Sequence, residues 1–295
     1  MSGRVVFVHG MGQKPDQETE RARTWAPLER ALWLSVPYDA YSVAYWADVR
    51  LPVPGDAPSN DSAALLRRLP VSQRASLGWA AGGLAAYRTR PDLLVLNAVE
   101  RFRRMRGVLL ARGEAIVRAP LAVVFDHLMR DLRPYLAGLT RGRVMDRMTT
   151  QLDAASRDGP LCVISHSMGT VVAFDAILHF DGDVDTFVTL GTPLGWEYVR
   201  AALGTPAYPA NLHHWINLYD RLDDVAIRER GIAEDYPTVG GARFVEDRRV
   251  RDNYAPNGDR DPHHWFGYLS SPEVADVVGK FWLGAGDAPR QLPHP

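Results

Sequence analysis

Residues 161–177, LCVISHSMGTVVAFDAI, pass from a run of strand-forming apolar residues into a run with helical spacing, and Ser167 stands at the junction. A short apolar run that turns directly into a run with helical spacing is the signature of one βα unit. Working outward, the same alternation recurs. Upstream, GRVVFVHGMGQ is a β-branched run closed by a glycine pair, which reads as a buried parallel strand and its tight loop. A helix from about Glu18 to Leu34 follows, with Trp25, Leu28, Leu32 and Trp33 on one face, and YDAYSVAYWADV reads as a second strand. Downstream, VMDRMTTQLDAASRDG is a helix leading into the strand PLCVIS, and the helix MGTVVAFDAILHF leads into the strand DTFVTLG. HHWINLYD and GARFVEDRRV read as two further strands, and SPEVADVVGKFWL as a closing helix with a Ser-Pro start. Strands alternating with helices imply an α/β fold with a mostly parallel sheet covered on both faces.

One region breaks the pattern. After the Pro-, Gly- and Asp-rich loop LPVPGDAPSND, helical periodicity dominates from Asp61 to Leu139 with no convincing strand. The expected organisation is therefore a core of residues 1–50 and 140–285, an inserted helical cap of residues 51–139, and a C-terminal tail of residues 286–295. The stretches LGWAAGGLAAY and APLAVVF in the insertion are apolar enough to line a pocket or to pack the cap onto the body. Gly82 and Gly83 suit either a hinge or close helix packing.

Composition excludes several function classes. The chain of 295 residues can bury a large core, and its formal net charge of −1 with both signs interspersed gives no footprint for a polyanion partner such as nucleic acid. The arginine-rich RFRRMR reads as a solvated helix face. A single cysteine, Cys162, cannot form an internal disulfide and suits a reducing compartment. The chain shows neither a leader pattern nor an apolar run of membrane-spanning length, so the expectation is a cytoplasmic protein with no transmembrane segment.

Sites in open parallel sheets lie at the carboxyl ends of the strands, where Ser167 sits. The local pattern Ser165-His166-Ser167-Met168-Gly169 is G-x-S-x-G with serine in the first position. Small residues flank such a serine because strand and helix backbones pack closely at the sharp turn. A serine before a helix can also be a simple N-cap. The rest of the chain supplies what a nucleophile needs: a base to take its proton and an acid to orient that base. The strand WINLYD runs into RLDDVA, offering Asp220, Asp223 and Asp224, and the loop after the strand ARFVEDRRV offers His263 and His264. A pair of N–H groups for an oxyanion would come from Met168 and, in the glycine-rich loop after the first strand, from Met11. His9 in that loop reads as a structural hydrogen-bonding residue.

Together VFVHGMGQ, VISHSMG, LGTPLGW, INLYDRLDDVA and HHWFGYLSSPEV resemble the α/β-hydrolase superfamily, in its serine esterase and lipase-like branch. The resemblance covers the sheet segments and leaves the insertion unmatched. Two departures stand out: Ser165 in place of glycine, and the doubled Asp223-Asp224 and His263-His264. The resemblance implies an acid in a turn after a strand ending in N-x-Y, which maps onto Asp223. It also implies a base before an aromatic pair and a capped final helix, which maps onto His263. LGTPLGW would then line the pocket beside the serine or form a packed turn around Trp196.

These readings give an expected serine hydrolase that cleaves a carboxylic ester through an acyl-enzyme on Ser167. Alternatives are an acyltransferase or thioesterase of the same fold, and a non-catalytic binding module. The chemistry needs no cofactor and no metal, and the substrate would be a small-molecule or lipid-like ester. The repeated His-His-Trp around His213 and His263 lacks the spacing of dedicated zinc sites. Trp79, Tyr87 and Trp265 could line an acyl pocket or serve as core. Oligomeric state leaves no trace in the sequence.

Overall fold

Six strands pair in the order β2-β1-β3-β4-β5-β6, all parallel. They are β1 (Arg4–Val8), β2 (Tyr41–Ala44), β3 (Leu161–His166), β4 (Val184–Leu190), β5 (Leu212–Tyr219) and β6 (Val245–Arg249). The computed structural model describes residues 3–10, 14–49, 131–204, 207–226, 231–238, 243–255 and 260–284. The helices connecting and covering these strands are α1 (Gln17–Ala31), α2 (Arg141–Ser156), α3 (Met168–Leu178), α4 (Glu197–Ala202), α5 (Trp265–Leu269) and α6 (Pro272–Gly284).

Alternation along each strand sends its side chains to opposite faces. Val5, Phe7, Cys162, Ile164, Val188, Leu190, Ile216 and Leu218 share one buried cluster with Trp25 and Leu28 of α1, Tyr268 and Leu269 of α5, and Val274, Val277 and Val278 of α6. From the other face, Phe187 and Trp215 lie with ring centroids 5.4 Å apart, and Phe174 of α3 packs on Trp215 at 5.3 Å. Both faces are thus covered by helices, which is why the central strands read as continuous apolar runs. Cys162 is a free thiol, fully buried, and burial pushes its ionisation far up.

The sheet's edges are guarded in different ways. The outer carbonyls of β2 at Tyr41 and Val43 accept hydrogen bonds from Arg21 Nε at 2.8 Å and Gln17 Nε2 at 2.9 Å, both on α1. At the opposite edge, β6 carries Glu246, Asp247, Arg248 and Arg249, charges that discourage further strand pairing.

Two local expectations are corrected. The second strand is only Tyr41–Ala44, bounded by single 3₁₀ turns at Tyr38–Ala40 and Ala47–Val49. Helix α1 ends at Ala31, because Leu32 turns extended with ψ 133°. Trp33 therefore leaves the expected buried face and is 60% exposed, its indole lying over Gly279 of α6.

The chain divides into two compact units, Met1–Val49 with Arg143–Pro295, and Arg50–Gly142. The second unit falls mostly outside the described residues, including Trp79, Gly82, Gly83, Tyr87 and both apolar stretches noted above; its described part contains a helix at 131–136. Among the described residues, no helix is long and apolar enough to cross a membrane.

Candidate active site

The strand order reverses at β1. From β1 the chain moves outward to β2 and then returns to the other side as β3, so the crevice between the carboxyl ends of β1 and β3 is the topological switch point where such sheets bind ligands. Val8 is in register with Ser165, which brings the loop after β1 level with Ser167.

Ser167 has φ 55° and ψ −131°, and it is the only described non-glycine residue with positive φ. Such a conformation costs on the order of 1–3 kcal/mol and persists only where the surroundings fix it. They do so here. Ser167 N donates to Leu190 O at 3.0 Å, and Ser167 O accepts from Thr170 N at 2.9 Å and from Thr170 Oγ1 at 2.7 Å. Gly169 is pressed against β1 so closely that a Cβ would fall on the carbonyl oxygens of Val8 and His9. A Cβ on Gly10 would lie 3.1 Å from Ser167 Cβ. These close approaches explain the small residues around the serine. Ser165, in the position that the pattern gives to glycine, buries its hydroxyl in the sheet and donates to Val188 O at 3.2 Å.

Although Ser167 occupies the N-cap position of α3, its hydroxyl makes no capping bond. It lies 3.0 Å from His263 Nε2 instead. His263 Nδ1 lies 2.9 Å from Asp223 Oδ2 and 2.9 Å from Oδ1. Because the carboxylate can only accept, Nδ1 carries the proton and Nε2 presents its lone pair to the Ser167 hydroxyl. Burial opposes the imidazolium, but the Asp223 charge and hydrogen bond, reinforced by Asp261 and Asp252, hold His263 above its ordinary value.

The structure thus brings Ser167, His263 and Asp223 together, and it assigns their neighbours to other tasks. His264 caps α5, its Nδ1 accepting from Phe266 N at 3.2 Å while its ring stacks on Tyr254 at 4.1 Å. Asp220 turns away from the imidazole: its Oδ1 accepts from Leu222 N at 2.8 Å, and its Oδ2 from Asp252 N at 2.7 Å and from Arg260. Asp224 is only partly buried. Met168 begins α3, so its N–H has no carbonyl one turn earlier within the helix and is free of the helical ladder. Met11 lies outside the described residues.

His9 is fully enclosed. Its Nδ1 donates to Gly10 O at 2.8 Å, its Nε2 accepts from Trp46 N at 3.1 Å, and its ring stacks on Trp46 at 4.9 Å; burial pushes its pKa down to about 3. It shapes the loop and stays neutral. Gly191, at φ +54° directly after β4, leaves room for the Asp223 carboxylate and the His263 ring, and Trp196 Nε1 donates to Val225 O at 2.9 Å. LGTPLGW is therefore, in its described contacts, a brace for the loop that carries Asp223.

Sequence reasoning did not single out several residues of this site. His166 Nε2 donates to His263 O at 2.8 Å, with ring centroids 4.8 Å apart; burial and the neighbouring His263 hold it well below its ordinary value. Tyr268 on α5 donates to Asp223 Oδ2 at 2.6 Å. Arg260 bonds both Asp220 Oδ2 and Asp252 O, tying the loop before His263 to the loop after β5. Asp252, buried beside them, is pushed up to about 7 by burial and by nearby carboxylates. The one available signal was spacing, since Arg260 and Tyr268 flank His263 closely in sequence.

Among the described residues, no cluster of three or more His, Cys, Asp or Glu side chains could hold a metal ion. His213 and His214 lie exposed at the start of β5, away from any such set. The class that fold and site define is an α/β protein with an open parallel sheet and a Ser-His-Asp hydrogen-bonded chain at its switch point. No family model and no curated protein matches the chain.

Proposed function

We propose that this protein is a serine hydrolase of the α/β-hydrolase superfamily, akin to its esterase and lipase-like branch, and that it cleaves a carboxylic ester through an acyl-enzyme on Ser167. The observation that carries this reading is the destination of the Ser167 hydroxyl. A capping serine spends its oxygen on the helix, whereas Ser167 offers its proton to the free nitrogen of an imidazole already held by a buried carboxylate.

In this reading Ser167 Oγ attacks the ester carbonyl as His263 Nε2 takes its proton. The oxyanion of the tetrahedral intermediate accepts hydrogen bonds from the N–H groups of Met168 and Met11; one such donor is worth roughly 10²–10³ in rate. Collapse expels the alcohol, which takes the proton from His263. Water, deprotonated by the same nitrogen, then releases the acid and restores Ser167. Asp223 holds the Nδ1–H tautomer and stabilises the imidazolium throughout. No step calls on a cofactor.

The test is labelling with a fluorophosphonate probe, comparing wild type with Ser167→Ala, His263→Ala and His264→Ala, each shown to be folded by circular dichroism. Labelling of wild type and His264→Ala, with loss in Ser167→Ala and His263→Ala, is the expected pattern. A folded wild type that neither labels nor hydrolyses any of a series of esters of increasing chain length would sink the proposal.

A further inference from the structure

We propose that Tyr268 is a positioning residue that holds the Asp223 carboxylate toward His263 and tempers its charge, thereby setting the pH at which the imidazole becomes available as a base. The inference rests on the serine-hydrolase reading and extends it to a residue that its sequence context does not single out.

The direction of the hydrogen bonds is fixed by valence. Asp220 N–H donates to Tyr268 Oη at 3.0 Å, so the phenol oxygen is the acceptor there and its own proton goes to Asp223 Oδ2 at 2.6 Å. Burial, together with the Asp223 charge, holds the phenol far above its ordinary ionisation, and it remains a neutral donor. Its ring cannot swing away: Tyr268 is fully buried, its centroid is 5.9 Å from that of His166, and a Cβ on Gly191 would lie 3.2 Å from its Cε2.

Asp223 Oδ2 therefore accepts from Tyr268 and from His263 Nδ1 at once, while Oδ1 accepts from Val225 N at 2.8 Å and Ala226 N at 3.4 Å. Donors on a shared carboxylate compete for its charge. Removing the phenol proton leaves more of that charge facing the imidazole, which favours the imidazolium. Phenylalanine would fill the same apolar space, so packing alone does not account for the hydroxyl.

The other groups acting on His263 come from several elements. Asp252 follows β6, Asp261 and His264 lie on the histidine's own loop, and His166 ends β3. Lys14, before α1, acts on His166 and His264, and Arg23 of α1 acts on His264. Tyr268→Phe removes none of these groups but takes the acceptor from Asp220 N, whereas 3-fluorotyrosine keeps that acceptor, so opposite shifts of His263 in the two variants ascribe the effect to the shared carboxylate.

The experiment titrates the His263 ring by NMR in wild type and Tyr268→Phe, and measures kcat/KM against pH on a soluble ester. Both midpoints are expected to rise together by roughly 0.5–1 pH unit, which is a roughly three- to ten-fold loss of kcat/KM below the midpoint. Site-specific 3-fluorotyrosine at position 268, a stronger donor and nearly isosteric, should move the midpoint downward, and it decides the matter if Tyr268→Phe does not fold. An unmoved or lowered His263 midpoint in folded Tyr268→Phe would overturn the proposal, because a purely structural hydroxyl would change stability without moving the titration upward. The NMR titration needs no turnover. If the ring titrates as expected but no ester is hydrolysed, the coupling stands and the hydrolase reading fails.

Discussion

Replacing Gly191 with alanine separates a packed site from a merely adjacent one. At φ +54°, alanine carries a left-handed penalty of about 1–2 kcal/mol. The new Cβ would also sit 2.5 Å from Asp223 Oδ2 and 3.0 Å from His263 Nδ1. Comfortable separations to a methyl carbon are about 3.5 Å, so the carboxylate must retreat by about 1 Å. It cannot do so freely, because Val225 N and Tyr268 hold it from two other directions. A misplacement of that size costs on the order of 10²-fold in rate. The expectation for Gly191→Ala is thus a roughly 100-fold slower second-order rate of fluorophosphonate labelling, with a stability loss of about 1–3 kcal/mol by urea titration. Gly204 supplies the control: it has φ +89°, and a methyl group added there would meet no described atom within 4 Å, so Gly204→Ala should lose similar stability and keep its labelling rate. Near-wild-type labelling of folded Gly191→Ala would refute the argument that these three side chains work as one packed unit.

Gly169→Ala places a methyl group on the backbone carbonyls of Val8 and His9, which no rotamer can relieve. It should destabilise by more than about 3 kcal/mol, seen as loss of soluble protein or a sharply lowered urea midpoint. Acid sensitivity follows from the buried imidazoles. His9 has a folded value of about 3 against an ordinary 6.5, so between those limits the unfolded chain binds a proton that the folded chain does not. Its contribution is full above pH 6.5 and is lost as pH falls toward 3, at roughly 1.4 kcal/mol per pH unit. His166, also depressed, adds to the loss below its ordinary value, whereas His263 is raised and contributes with the opposite sign, its stabilisation fading as pH rises through its folded value. Asp252, raised to about 7, gains stability as pH falls toward its ordinary value and offsets part of this loss, but the two depressed imidazoles outweigh it. Urea titrations from pH 7 to pH 4 should therefore show stability falling with acid, and His9→Gln should flatten or reverse the slope; an unchanged slope would contradict the neutral, buried assignment of His9.

The sheet was legible because its strands are buried on both faces and end in glycine-rich turns, so that RVVFV, LCVISH and VDTFVTL each announce themselves locally. α4 and α5 were not, since six and five residues are too few to display a helical period. The short extent of β2 was hidden for another reason: YSVAYW carries strand-forming residues throughout, and pairing stops where the chain folds into the turn at Ala47–Val49. Ser167 could be picked out because the elbow imposes small neighbours within five residues. Choosing among Asp220, Asp223 and Asp224, or between His263 and His264, depends on which way each side chain leaves its loop, and one residue of offset reverses that.

What no local pattern reveals is how the loops beyond β5 and β6 are held together. Asp220 receives Leu222 N, Asp252 N and Arg260, and its own N–H donates to Tyr268, so one buried carboxylate and its backbone gather three segments of chain. Arg260 in turn holds Asp252 O, and the Asp252 carboxylate accepts from Tyr254 N at 2.9 Å while Gly267 of α5 packs against it. Each member looks ordinary in sequence: an acid after a strand, an arginine in a polar loop, a tyrosine in an apolar helix. Their sequence separations, 32 residues for Asp220 to Asp252 and 40 for Asp220 to Arg260, exceed any local motif. Two of the three carboxylates on the loop after β5 therefore divide the labour. Asp220 fixes where the histidine loop runs, and Asp223, three residues on, meets the imidazole that this loop delivers. Swapping their roles would require the loop to be rebuilt, because Asp223 N itself donates to Asp220 O at 3.1 Å and closes the turn that separates the two side chains.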